Sequence, residues 1–335
     1  MPARPAGGPV YIGGLSRSGK TLMGSILGSH SRLAIPEHGS NLWAYFHGQF
    51  GDLADDANME RAISTLLRYR HVVLLSPDEQ RIRAEAAAGP RTYGHLFSLF
   101  LAHYAEARGK PRWGEHSGLV EAHADRVFEA FPDARIVQMI RDPRDRHEAS
   151  ARLFPRGRGQ VGAATAWWSA SAGLAERNLR RYPDAYRVLR YEDLVNAPEE
   201  TVRVVCDFIA EPFEPAMLEM GEAPEYAEML GRRNEARSAT SGLIVPDHVG
   251  GFRGVLPDRE VAFIEAHAGT LMRRHGYALD RPEPSWRERG RLVLVDPAQT
   301  VRLLATVVVA RTHHRLLWVA RRTIAAKVHQ GPLPG

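Results

Sequence analysis

With 335 residues, 44% apolar and 25% charged, the chain has the make-up of a globular protein large enough for one big α/β domain, which excludes collagenous, disordered and membrane-spanning classes. Its single cysteine, Cys206, excludes an intrachain disulfide and a thiolate metal cage. The net charge of +5 suits an anionic ligand or surface, but six Arg or Lys and no acid fall between Pro297 and Gln330, so the remainder is nearly neutral and no nucleic-acid partner is expected.

The N-terminal stretch MPARPAGG has no apolar h-region, so no secretory signal is expected and a cytoplasmic location is the default. PVYIGG then reads as a short buried strand entering a glycine turn, and TLMGSILGSH as a helix with Leu22, Ile26 and Leu27 on one side. The join, Gly14 to Thr21, satisfies G-x-x-x-x-G-K-[ST]. A glycine loop opening a helix aims backbone N–H groups and the positive end of the helix dipole at an anion. Arg17 and Lys20 add side-chain cations to it.

Helical patterns follow at roughly 58–69 and 92–108, with a polar, loop-rich stretch between them. After the helical segment VEAHADRVFEAF and the turn Pro132-Asp133, ARIVQMI (134–140) is the second strand; it empties into RDPRD, where Pro143 suits a first helical turn. A helical run from about 162 to 181 precedes the third strand, YRVLRY (186–191). Asn196-Ala197-Pro198 then leads into the helix EETVRVVCDFI, where Cys206 is expected as a small buried hydrophobe. Residues 232–253 have no period and read as a long loop, functional or disordered. A helix resumes between Pro257 and Gly276, and RLVLVD, ending at Asp296, is a further strand candidate.

Strands alternating with helices predict an α/β fold: a P-loop-type parallel sheet flanked by helices on both faces. Ligands in such sheets lie at the carboxyl ends of the strands, where GLSRSGKT, RDPRD and YEDL fall. The expected division is a domain over 1–290 and a basic helical tail over 291–335. From Val309 the tail would place Val309, Leu316, Leu317, Ala320, Ile324 and Val328 on one side and Arg311, Arg315 and Arg322 on another. Such a helix can lie on the inner membrane surface as a peripheral contact, join two subunits in a homodimer, or pack on its own domain. Its longest uncharged run, LLATVVVA, is too short to span a bilayer.

Singly, the motifs stay ambiguous. The opening loop fits a Mg·ATP-dependent kinase or NTPase, RDPRD fits a self-paired charge cluster, and YEDL fits an ordinary strand-to-turn sequence. His38, His123 and His313-His314 lack ligand spacing, so no metal site is expected.

Taken in order, GLSRSGKTL, IPEHGSN, FPDARIVQMIRDPRD and RYEDLVNAPEE resemble the sulfotransferases that use 3′-phosphoadenosine 5′-phosphosulfate (PAPS), in particular their bacterial and tyrosylprotein-type branch, over roughly residues 10–275. The resemblance implies that Arg17, Ser18, Gly19, Lys20, Thr21 and Leu22 hold the 5′-phosphosulfate. Arg141 and a serine on the following helix would hold the 3′-phosphate, with Tyr191 near that end. Phe252 and Arg253 of GGFRG would close over the nucleotide. It further implies a metal-free enzyme that moves a sulfuryl group to the hydroxyl of a small molecule, glycan or lipid and releases adenosine 3′,5′-bisphosphate (PAP). Glu37 stands where this branch has a catalytic Glu and is the expected general base; His116, in the region where cytosolic relatives place a catalytic His, competes for the role. Arg17 is expected to stabilise the moving group.

Three positions depart from the family pattern. Lys20 replaces Thr, and Glu115-His116-Ser117-Gly118 replaces Glu-Lys-Thr-Pro. Ala149 occupies the spacing of the 3′-phosphate serine, with Ser150 one residue later, a rotation of about 100° on a helix. The kinase alternative needs a strand-end acid for Mg²⁺, and Asp296 is the best placed.

Overall fold

A computed structural model describes residues 7–153, 160–221, 223, 244–280 and 296–311. Five parallel strands make one sheet in the order β2-β3-β1-β4-β5. They are β1 (Val10–Gly13), β2 (Leu33–Ala34), β3 (Arg112–His116), β4 (Arg135–Ile140) and β5 (Tyr186–Arg190). β1 is central, with Ile12 paired to His116 on one side and Val137 on the other. The loop that follows β1 therefore leaves the middle of the sheet, between the carboxyl ends of β3 and β4.

Successive side chains of a strand face opposite ways, so a central strand covered on both faces must be apolar on both. VYIG meets that demand and is wholly buried. Tyr11 and Ile136 join one core cluster with Trp43, Ile63, Ile82, Phe97 and Val127. These come from α2 (Leu42–Phe46), α3 (Asp56–Leu66), α5 (Glu79–Ala88), α6 (Tyr93–Glu106) and α7 (Ala124–Ala130). Val10, Ile12 and Val137 face a second cluster. That cluster is supplied by α1 (Lys20–Gly28), α10 (Tyr191–Asn196) and α11 (Pro198–Ile209). A third cluster holds Trp168, Ala172, Phe263 and Met272, where α9 (Val161–Arg181) meets the helix Asp258–Arg274. Cys206 is fully buried in the second cluster, and burial pushes its thiol pKa up to about 12.

The strands expected in PVYIGG, ARIVQMI and YRVLRY are present, as are the helices expected near 58–69, 92–108, 162–181, 199–209 and 257–276. The segment between 69 and 92, expected to be loop, instead carries α4 (Arg70–Val73) and α5. α5 buries only Ile82 and Ala86, one turn apart, so its apolar stripe is too thin to register as a period; an Asp78 side-chain cap on the Arg81 N–H marks its start. β2 and β3 were not expected either. β2 has two residues, and β3 buries Glu115 and His116, which break any apolar run.

The helix Pro297–Arg311 packs on α9. The Gly162 N–H donates to Gln299 Oε1 at 3.1 Å, and a Cβ at Gly162 would lie 2.0 Å from the Gln299 carbonyl oxygen. Asp296, the last residue of the strand candidate RLVLVD, accepts from the Gln299 N–H and caps this helix. Residues 291–295 of that candidate and the basic amphipathic segment beyond Arg311 lie outside the described residues. Among the described residues no helix is long and apolar enough to cross a membrane.

Candidate active site

The loop between β1 and α1 turns on two glycines. Gly14 (φ 115°) and Gly19 (φ 91°) occupy the left-handed region, and neither has room for a side chain. A Cβ at Gly14 would lie 2.2 Å from the Met139 carbonyl oxygen, and one at Gly19 would lie 2.7 Å from the Tyr191 ring. Arg17, at φ 71°, is a left-handed non-glycine residue at the loop tip, a conformation that costs on the order of 1–3 kcal/mol and collects at ligand-binding loops. The base of the loop is tied to a buried carboxylate: Glu121 Oε2 accepts the Gly14 N–H at 3.0 Å and Oε1 accepts Ser171 Oγ at 2.8 Å. No side chain caps α1, so its first-turn N–H groups are left for a ligand. Ser18 is buried, Thr21 is half-buried, and Leu22 packs into the core.

Lys20 opens α1. A Cβ on Gly118 would lie 3.3 Å from its Nζ, so the ammonium reaches across to the loop that follows β3. Burial lowers its pKa; Glu121 and Glu115 pull it back up, and Arg146 pushes it further down. Glu115 is buried with one oxygen on Ser40 Oγ at 2.6 Å, and burial raises its pKa.

The two candidate bases are neighbours. His116 Nε2 lies 2.8 Å from the Glu37 carbonyl oxygen, an atom that can only accept, so Nε2 carries the proton. Burial pushes the imidazole pKa down to about 4, so it is neutral near pH 7. Its ring packs against α1, where a Cβ on Gly24 would come within 2.9 Å of it. Glu37 is half-buried in the loop between β2 and α2. His116 thus fixes the backbone of the segment bearing Glu37 beside the P-loop helix.

RDPRD divides in two. Arg144 lies on the helix α8 (Pro143–Leu153) and pairs with Asp142 through Nε at 3.0 Å and Nη2 at 2.7 Å, with Glu265 as a further buried partner. That half is a self-paired cluster. Arg141 is different: Nη1 donates to the Arg17 carbonyl oxygen at 3.2 Å, Nη2 donates to that of His248 at 2.8 Å, and the buried Nε has no partner among the described residues. Its guanidinium lies 4.5 Å from the centroid of the Tyr191 ring. Glu192, next to Tyr191, accepts the Asp142 N–H at 2.9 Å and so locks the ends of β4 and β5 together. Arg146, one turn into α8, donates from Nε to the Ser16 carbonyl oxygen at 3.1 Å.

The loop carrying GGFRG is held over α8 by Asp145, whose carboxylate accepts the Gly250 and Phe252 N–H groups at 2.7 and 2.9 Å. Phe252 is buried under the Arg144 guanidinium. Arg253 is exposed and pairs with Asp280 at 2.7 Å. Ser150 is half-buried on α8, whereas Ala149 is buried. The structure therefore brings Arg17, Gly19, Lys20, Arg141 and Tyr191 together at the carboxyl ends of the strands, with Glu37 and His116 along the P-loop helix, and leaves Arg253 on an outer ion pair. Sequence reasoning missed Glu121 and Arg146, which sit in charged helical stretches with no motif of their own, and gave Asp145, the last residue of RDPRD, no separate role. Among the described residues no group of three or more His, Cys, Asp or Glu is arranged to hold a metal ion.

A model of the sulfotransferase family matches residues 9–215. No curated protein matches the sequence significantly. Among solved structures, the sulfotransferase domain from the Synechococcus PCC 7002 olefin synthase is similar at 19% identity and a TM-score of 0.56, over 83% of this chain and 98% of that one. The sulfotransferase domain from the curacin biosynthetic pathway is similar at 17% identity and a TM-score of 0.54, over 82% and 100%. At these identities the likeness is one of fold.

Proposed function

The chain belongs to the sulfotransferase family and is a sulfotransferase, and from that premise we propose that its donor is PAPS, its acceptor a hydroxyl group and its general base Glu37. The observation that carries the donor is the Tyr191 ring, wedged between Gly19 at the head of α1 and the Arg141 guanidinium. One wall thus joins two separate anion-binding points, which suits a nucleotide with phosphate at both ends. The chemistry of the donor set agrees. The uncapped α1 terminus with Arg17 and Lys20 suits the 5′-phosphosulfate, and Arg141, with no carboxylate paired to it among the described residues, suits the 3′-phosphate.

PAPS supplies an activated sulfuryl group on a phosphate leaving group. The chain supplies charge and a proton acceptor. Arg17 and Lys20 stabilise negative charge at the 5′ end, and losing one such preorganised donor costs on the order of 10²- to 10³-fold in rate. Glu37 takes the acceptor's hydroxyl proton. His116, proton on Nε2 and that proton on the Glu37 carbonyl, holds the segment in place as a positioning residue. The acceptor class remains a hydroxyl-bearing small molecule, glycan or lipid.

A Mg·ATP reading draws support only from the Lys20 pattern. Of the acids it could use, Asp142 pairs with Arg144, Asp296 caps a helix, and Glu115 is buried with one oxygen on Ser40 Oγ. The test is incubation of the protein with PAPS and a panel of hydroxyl acceptors, followed by mass spectrometry. A product heavier by one sulfuryl group, formed in excess chelator, supports the proposal; phosphorylated products with Mg·ATP and none with PAPS would overturn it.

A further inference from the structure

Among the described residues Arg146 is a cation without a counter-ion. Its Nε donates to the Ser16 carbonyl oxygen, and among the described residues no carboxylate pairs with its Nη groups. It is half-buried, so part of it is open to solvent. Burial and the repulsion of Arg141 together pull its pKa down to about 10, far below the usual guanidinium range. Arg141 and Arg146 donate to the adjacent carbonyls of Arg17 and Ser16 at the loop tip, near enough for the Arg141 charge to act on Arg146, and among the described residues neither guanidinium has a carboxylate in an ion pair. That arrangement costs free energy until an anion enters.

The helix geometry says which anion. Arg146 and Ser150 are four residues apart on α8 and share a face, which also meets the P-loop tip. Ala149 lies about 100° round the helix and is buried. The shift of the serine by one residue has thus put its hydroxyl on the arginine's side. A phosphate monoester, with a charge near −2 and three acceptor oxygens, matches two adjacent guanidiniums and a hydroxyl. The other end of the nucleotide already has the α1 amides, Arg17 and Lys20.

We infer that Arg146 binds the 3′-phosphate of the donor nucleotide, as the partner of Arg141, with Ser150 beside it on the same helix face. This inference rests on the reading of the cleft as a PAPS site. Arg146 makes the site selective for nucleotides that carry a 3′-phosphate.

Calorimetric titration with PAP and with adenosine 5′-monophosphate, which lacks the 3′-phosphate, tests it. The wild type is expected to prefer PAP. Arg146→Ala should weaken PAP by about 10- to 100-fold, the worth of a charge-assisted hydrogen bond, and leave the monophosphate within about twofold. Arg146→Lys, which keeps the charge and loses the fork, should fall between, and it stands in if the alanine variant does not fold. An Arg146→Ala protein that keeps the full preference, or that weakens both nucleotides equally, overturns the inference and leaves the PAPS reading intact. A wild type without preference for PAP sinks the PAPS reading itself, and this inference with it.

Discussion

The Tyr191 ring fills the space that a side chain on Gly19 would need: a Cβ there would lie 2.7 Å from the ring, at a backbone φ of 91°. One aromatic thereby ties the P-loop to the end of β5, and the Arg141 guanidinium lies over the ring, 4.5 Å from its centroid. Gly19→Ala meets both the clash and the left-handed strain. It should cost about 1–3 kcal/mol of stability and abolish PAP binding, whereas Tyr191→Phe, which keeps the ring, should bind PAP nearly as well as the wild type. Urea unfolding and PAP titration of both variants check this.

Glu37→Gln should keep PAP affinity and lose turnover by about 10²- to 10⁴-fold, the usual worth of a general base. His116→Asn should keep most of the turnover, because an amide N–H can replace Nε2–H on the Glu37 carbonyl. Single-turnover rates at saturating donor distinguish the two, and the reverse ranking would give the base to His116.

His116 also makes a pH prediction. Its folded pKa of about 4 lies below the unfolded value near 6.5, so the unfolded chain binds the proton more readily. Its contribution is fully present above pH 6.5 and is lost as pH falls through 4, a loss of roughly 3 kcal/mol by pH 4. Other buried groups titrate as well, Glu115 with the opposite sign because its pKa is raised. The informative quantity is therefore the difference between wild type and His116→Asn in urea unfolding at pH 7 and pH 4.5. Parallel acid losses in the two proteins would contradict the burial of a neutral imidazole.

Asp145 ties the 244–256 loop to α8 through the Gly250 and Phe252 N–H groups. Asp145→Ala leaves both amides without their acceptor, a loss of about 1–3 kcal/mol, and should release the loop. Hydrogen exchange at Gly250–Leu256 should accelerate while β1 and β4 stay protected, and PAP should bind more weakly.

What the sequence made legible follows from where each signal lies. β1, β4 and β5 carry short apolar runs that end in Gly14, Arg141 and Tyr191, so the runs marked the sheet and their ends marked the cleft. β3 hid because the site itself puts Glu115 and His116 inside the sheet. Glu121 and Arg146 hid for another reason: their partners, Gly14 and Ser16, lie 107 and 130 residues away, and no local pattern carries such a contact. RDPRD looked like one motif and is two, a buried Asp142–Arg144 pair that builds the corner and an Arg141 that faces the P-loop.

The claim that the cleft holds a nucleotide with phosphate at both ends is tested most directly by thermal unfolding in excess chelator. PAP should raise the melting temperature of the wild type and leave Arg17→Ala unshifted, by the linkage between binding and stability. No shift with PAP, together with a clear shift from Mg·ATP, would contradict the account.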